Sequence, residues 1–148
     1  MRTATACFLA FFSLAGCKSA PEKAIKGFWT IDTIVKDKQE YVGCFGVNAW
    51  WFESNQSCNL PTTLSCSELN LKAEDERGTW EFDAGSRRLR INSANKFFGR
   101  SYHVDFVDDV DRKMLVMKLD SDSISITCRK ALYFYDKEEV SELVKQNQ

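Results

Sequence analysis

Between Gly27 and Arg129 the chain is written in a period of two. Short stretches alternate apolar and polar residues, and Gly, Asp, Asn or Ser closes each one. A strand turns successive side chains to opposite faces, so each stretch can bury one face and wet the other. No long helical pattern separates them, which restricts the region to an antiparallel all-β architecture, a sandwich or an up-and-down barrel.

Eight strands can be read in order. Phe28–Val35 places Trp29, Ile31 and Val35 on one face. Tyr41–Glu53 is bent at Gly43 and Gly46, with Trp50 and Phe52 facing together and Ala49 and Trp51 facing away. Ser54–Cys66 carries Asn, Ser, Thr and Pro61 and reads as a loop. Leu69–Ala73 follows, then Thr79–Asp83 with Trp80 and Phe82, then the pair Leu89 and Ile91. Tyr102, Val104 and Phe106 alternate, Met114–Leu119 is more continuously apolar, and Ile124, Ile126 and Cys128 complete the set. The tail differs. Asp136 and Glu139 stand at capping-box spacing ahead of Val140, Leu143 and Val144, which predicts a short C-terminal helix over 136–148.

The N-terminus sets the compartment. Arg2 precedes an apolar run from Ala4 to Ala15, interrupted only by Thr5 and Ser13. That run is too short to span a bilayer and reads as a signal peptide. Its end, Leu14-Ala15-Gly16-Cys17, resembles the lipobox of bacterial lipoproteins. The resemblance implies cleavage before Cys17 and acylation of its thiol, with palmitate-type chains holding the protein to a membrane. An ordinary secretory peptide cleaved near Ala15 or Ala20 is the competing reading. Lys18 follows the cysteine in place of the Asp that retains enteric lipoproteins in the inner membrane, so the expected address is the cell envelope, with the outer membrane favoured. The expected division is a signal peptide over 1–16, a lipidated tether over 17–26, a barrel over 27–135 and the helical tail.

Removing sixteen residues from 148 leaves 132, the size of one domain. The formal charge is −1, with no basic patch for nucleic acid. Once Cys7 leaves with the signal and Cys17 carries lipid, Cys44, Cys58, Cys66 and Cys128 remain. An even number in an exported chain points to disulfides, and four cysteines allow three connectivities. A zinc site is the alternative, but no Cys-x-x-Cys pair occurs and His103 is the only histidine.

Gly27-Phe28-Trp29 looks like the Gly-x-Trp signature of the lipocalins and their calycin relatives. The chain also resembles small lipocalin-like bacterial lipoproteins in Trp50-Trp51-Phe52 running into Ser57-Cys58-Asn59-Leu60-Pro61, in Gly78-Thr79-Trp80 and in Ile126-Thr127-Cys128-Arg129-Lys130-Ala131. The resemblance implies an eight-stranded up-and-down barrel closed at one end by Trp29, with a basic side chain over its ring. Residue type favours Arg129 and strand parity favours Lys130. The barrel further implies that Cys58 and Cys128 meet at one rim, leaving Cys44 to Cys66.

Nothing in the sequence assembles a catalytic constellation or calls for a cofactor. His103 falls opposite Tyr102 and Phe106 in strand parity, hence outward. Asp105, Asp108, Asp109 and Asp111 lack the spacing of a calcium loop. Two non-enzymatic readings remain. In the first, the barrel holds a small hydrophobic ligand against Trp50, Phe52, Trp80, Phe82, Tyr102 and Phe106. In the second, large side chains fill it, and it acts as an interaction module for an envelope protein partner.

Overall fold

A computed structural model describes residues 20–63, 76–109 and 111–131. The chain enters through a six-residue helix, α1 (Ala20–Ile25). Strands β1 (Gly27–Lys36) and β2 (Gln39–Glu40) follow, then a 3-10 turn at Val42–Cys44. Next come β3 (Phe45–Val47), β4 (Ala49–Phe52), β5 (Ser57–Asn59) and β6 (Thr62–Thr63). The remaining strands are β7 (Arg77–Asp83), β8 (Arg88–Asn92), β9 (Ser101–Asp109), β10 (Met114–Asp120) and β11 (Ile124–Ala131).

Eight strands close a barrel in the order β1-β4-β5-β7-β8-β9-β10-β11, and β11 pairs back onto β1. Every ladder is antiparallel, so the barrel is up-and-down. β1 is long enough to hold two partners on its other edge. Gly27–Thr30 face Phe52–Ala49 of β4, whereas Val35 and Lys36 face the extra strand β2. The β1–β2 hairpin turns through Asp37 and Lys38, both at positive φ. That geometry matches the right-handed twist of the flanking strands. Gly27, at φ 102°, joins helix to strand in a region that only glycine enters freely.

Three expectations are corrected. The first concerns β1. Ile31 faces Cys128 but Thr33 faces Thr127, so a bulge at Asp32 shifts the pairing. Parity flips after it, and the inward residue is Ile34 while Val35 faces out. The second concerns the third barrel strand, which is β5, inside the stretch read as a loop. Cys58 pairs with Phe52 on one side and Gly78 on the other, so no strand stands between β5 and β7. Leu69–Ala73 lies outside the described residues, as does the expected C-terminal helix over 136–148. The third concerns the tether. Six of its ten residues, Ala20–Ile25, form α1, and Ala24 and Ile25 are buried in the core.

The interior is a column of aromatic rings. Phe97 and Phe98, from the β8–β9 loop, stack edge-on at 4.9 Å, and Phe98 meets Trp50 at 5.5 Å. Trp50 meets Phe52 at 5.5 Å, and Phe52 meets Trp80 at 5.8 Å, both edge-to-face. This is the arrangement the ring quadrupoles favour. Tyr41, just before the 3-10 turn, and Phe45, at the start of β3, close over Phe97. Leu89, Ile91, Val104, Leu115, Met117, Leu119, Ile124 and Ile126 fill the remaining wall.

Candidate functional site

Trp29 and Lys130 build one end of the barrel. Trp29 is fully buried, and its indole N–H donates to the Ile25 carbonyl of α1 at 2.6 Å. The Lys130 ammonium lies 4.4 Å from the Trp29 ring centroid. It donates to the Ala24 carbonyl and, at 2.8 Å, to the Lys26 carbonyl. One lysine thus covers the ring and binds the last turn of the helix that floors the barrel. Burial pulls its pKa from 10.5 down to about 7, against the pull of Cys128. Arg129 does not share this position. One residue away it points outward, and its Nε lies 3.1 Å from Asp32 Oδ1 at the bulge.

The six residues expected to line a ligand pocket are brought together, but packed against one another. Trp50, Phe52, Trp80 and Tyr102 are at most 1% exposed, and Phe106 is buried against Trp29 at 6.4 Å. Phe82 is half-buried. Their rings meet at 5.5–6.2 Å and leave almost no accessible surface toward one another, so these side chains form packed core where they meet. Polar atoms are mostly satisfied. Trp80 Nε1 donates to the Glu53 carbonyl at 3.1 Å, and the Tyr102 hydroxyl to the Phe98 carbonyl at 3.0 Å. Burial also raises the Tyr102 pKa. The Trp50 indole N–H is buried with no hydrogen-bond partner among the described residues, as are Arg100 Nε and Asp108 Oδ1 nearer the surface.

Both ends of this column fall outside the residues expected inside the barrel. Ala24 and Ile25 are too few to make a helical pattern. Phe97 and Phe98 sit in a loop, yet two adjacent aromatic residues between Ser93 and Gly99 were a usable signal for a plug. Asn95 holds them there. Its Oδ1 accepts from the Phe97 and Phe98 backbone N–H groups at 3.0 and 3.3 Å, and its carbonyl accepts from Gly99 at 2.7 Å.

The Cys58–Cys128 bridge is also corrected: both are free, buried thiols. Their strands are three ladders apart around the barrel, through β4 and β1. At ~4.8 Å per ladder the two backbones lie well beyond the ~7 Å limit of a disulfide. Burial, reinforced by Glu53, pushes the Cys58 thiol up to about 12. Burial followed by Asp32 raises Cys128 as well. Cys44 is disulfide-bonded. Cys66 and Cys17 lie outside the described residues.

Among the described residues the outer wall carries clefts on two opposite sides. One, of about 380 Å³, runs over β4 and β5 between Phe28, Val47, Trp51, Leu60 and Arg77. The other, of about 490 Å³, lies on the opposite wall between Arg88, Arg100, His103, Asp120 and Ser123. It is polar and of mixed charge, and Arg100 is already bonded to Ser123 Oγ at 2.9 Å and to the Lys96 carbonyl. His103 points outward, 3.7 Å from Asp105, whose carboxylate is held by Arg87 at 2.7 Å. Comparison with known protein families and with curated proteins returns no match for the chain.

Proposed function

We propose that the protein is an exported, lipid-anchored envelope protein, non-catalytic, whose barrel is a solid scaffold that meets an envelope partner through its outer wall. The observation that carries this reading is the near-zero exposure of Trp50, Phe52, Trp80 and Tyr102, which leaves no open interior where they pack. The anchor rests on Leu14-Ala15-Gly16-Cys17, and Lys18 favours the outer membrane. The Cys44 bridge is assigned to Cys66, the remaining cysteine of the exported domain.

A second reading, a small hydrophobic ligand held in a lipocalin-like interior, is favoured by one observation. The Trp50 N–H is an unpaired donor, among the described residues, surrounded by aromatic rings, and a ligand oxygen would satisfy it.

Native mass spectrometry of the detergent-purified protein, alone and as Trp50→Phe, separates the two. On the scaffold reading the protein carries no bound molecule beyond its acyl chains. Trp50→Phe is then tolerated, because removing a buried unpaired donor relieves ~1–3 kcal/mol against the lost ring area. A stoichiometric hydrophobe that is lost in Trp50→Phe would establish the second reading. Cys17→Ser should move the protein from the membrane to the soluble fraction.

A further inference from the structure

Five large apolar side chains are exposed among the described residues, and three of them, Phe28, Val47 and Trp51, line the same outer cleft. Phe28 and Trp51 face each other across β1 and β4 and stack edge-to-face at 6.2 Å. Each of the three is more than half exposed. Apolar groups clustered in this way mark a surface that something else covers.

Their place in the chain indicates what covers them. Phe28 is the third residue after α1, and α1 is the element that leads back to Cys17. Six helical residues span ~9 Å, and the three steps from Ala20 to Cys17 reach at most ~11 Å. Cys17 therefore lies at most ~20 Å from the end of α1, so its acyl chains would enter the bilayer on the side of the barrel where β1 starts and Phe28 stands. Tryptophan is enriched at membrane–water interfaces, where its ring meets both lipid and water. Arg77, exposed at the rim of the cleft, offers a cation to anionic headgroups.

We propose that Phe28, Val47 and Trp51 are the face that the anchored protein lays on its own bilayer, with the lipid headgroup interface as occupant. This inference rests on the lipid anchor at Cys17. It fixes an orientation as well. β8 and β9, which carry the polar cleft, lie diametrically across the barrel from β1 and β4, so that wall is turned away from the lipid.

Tryptophan fluorescence tests it, because Trp29, Trp50 and Trp80 are buried and iodide reads Trp51. The acylated full chain is placed on vesicles of phosphatidylethanolamine and phosphatidylglycerol. Compared with the Cys17→Ser form in solution, iodide quenching should be lost and quenching by brominated lipid gained. Phe28→Asp should restore iodide access while the protein still floats with the vesicles, and Val47→Asp serves if the first variant fails to fold. A protein that floats yet keeps the iodide sensitivity of the Cys17→Ser form would overturn the proposal and assign the patch to a protein partner or a second copy. An N-terminal peptide without acyl mass, together with failure to float, removes the anchor reading and the bilayer face with it.

Discussion

Lys130 shows how much one side chain can be asked to do. Its ammonium sits over Trp29 and bonds two carbonyls of the helix end, which favours the charged form, while burial disfavours it and leaves the pKa at about 7. In the unfolded chain the same group titrates at its ordinary 10.5. Between those values the unfolded state holds the extra proton, so this group makes stability rise with pH from about 7 toward 10.5 and withdraws that contribution as pH falls through 7. The raised Cys58, Cys128 and Tyr102 act in the opposite sense at the alkaline end. Urea unfolding from pH 7 to 8, on the rising side and below the ordinary thiol value of 9.0, should show a positive slope for the native chain and a flatter one for Lys130→Met. Equal slopes would mean that Lys130 keeps its proton throughout. The choice between Arg129 and Lys130 was legible only as a parity argument. Cys128 faces in, so the residue two positions on faces in as well, however unlike a core residue a lysine looks. Its two carbonyl partners were not legible, because they belong to a helix with no sequence pattern of its own.

At the scale of elements, alternation carried most of the architecture, and it failed where geometry departed from it. The inward sets on β7 through β11 follow directly from period two, apart from the half-buried Phe82. β1 does not, since one extra residue at Asp32 turns Ile34 in and Val35 out, and no residue type announces that bulge. β5 was hidden because Ser57-Cys58-Asn59 offers one apolar residue and no alternation to read. The β8–β9 loop hid a plug in the same way. That plug depends on close backbone approach at Gly99, where a Cβ would lie 2.8 Å from the Ser93 carbonyl and 2.9 Å from the Asn95 carbonyl. Neither backbone atom can retreat without moving Asn95, which holds Phe97 and Phe98. Gly99→Ala is therefore expected to cost ~1–3 kcal/mol, as overpacking does. The loss would be read as a lower urea midpoint at unchanged slope, and an unchanged midpoint would show the loop to be more compliant than its contacts suggest.

At the scale of the whole molecule, two buried thiols stay free while Cys44 is disulfide-bonded. Cys58 and Cys128 are sealed in the core on strands that cannot meet, and both are held as neutral thiols far from attack. Without reductant, iodoacetamide at pH 8 (below the raised thiol values) should leave both unlabelled in the native protein and modify both in denaturant, as mass mapping of their peptides would show. A Cys58–Cys128 peptide, or labelling before unfolding, would contradict this packing. Even cysteine number, legible in the sequence, says only that pairing is possible. Which thiols pair depends on ladder positions around a closed wall, and these follow from β5 and its neighbours.

Closure has a consequence in time. Thr30 at the start of the barrel is bonded to Arg129 near its end, and the ladders between them run strand to strand in chain order. A growing chain can therefore zip its hairpins one after another, but β1 keeps an open edge until the final strand arrives. The last step joins residues almost the full domain apart, which is the slow kind of contact. Until then the unpaired edge invites other chains. The barrel thus exists only once β11 is in place, and a chain still missing that strand has no closed wall to hold its core.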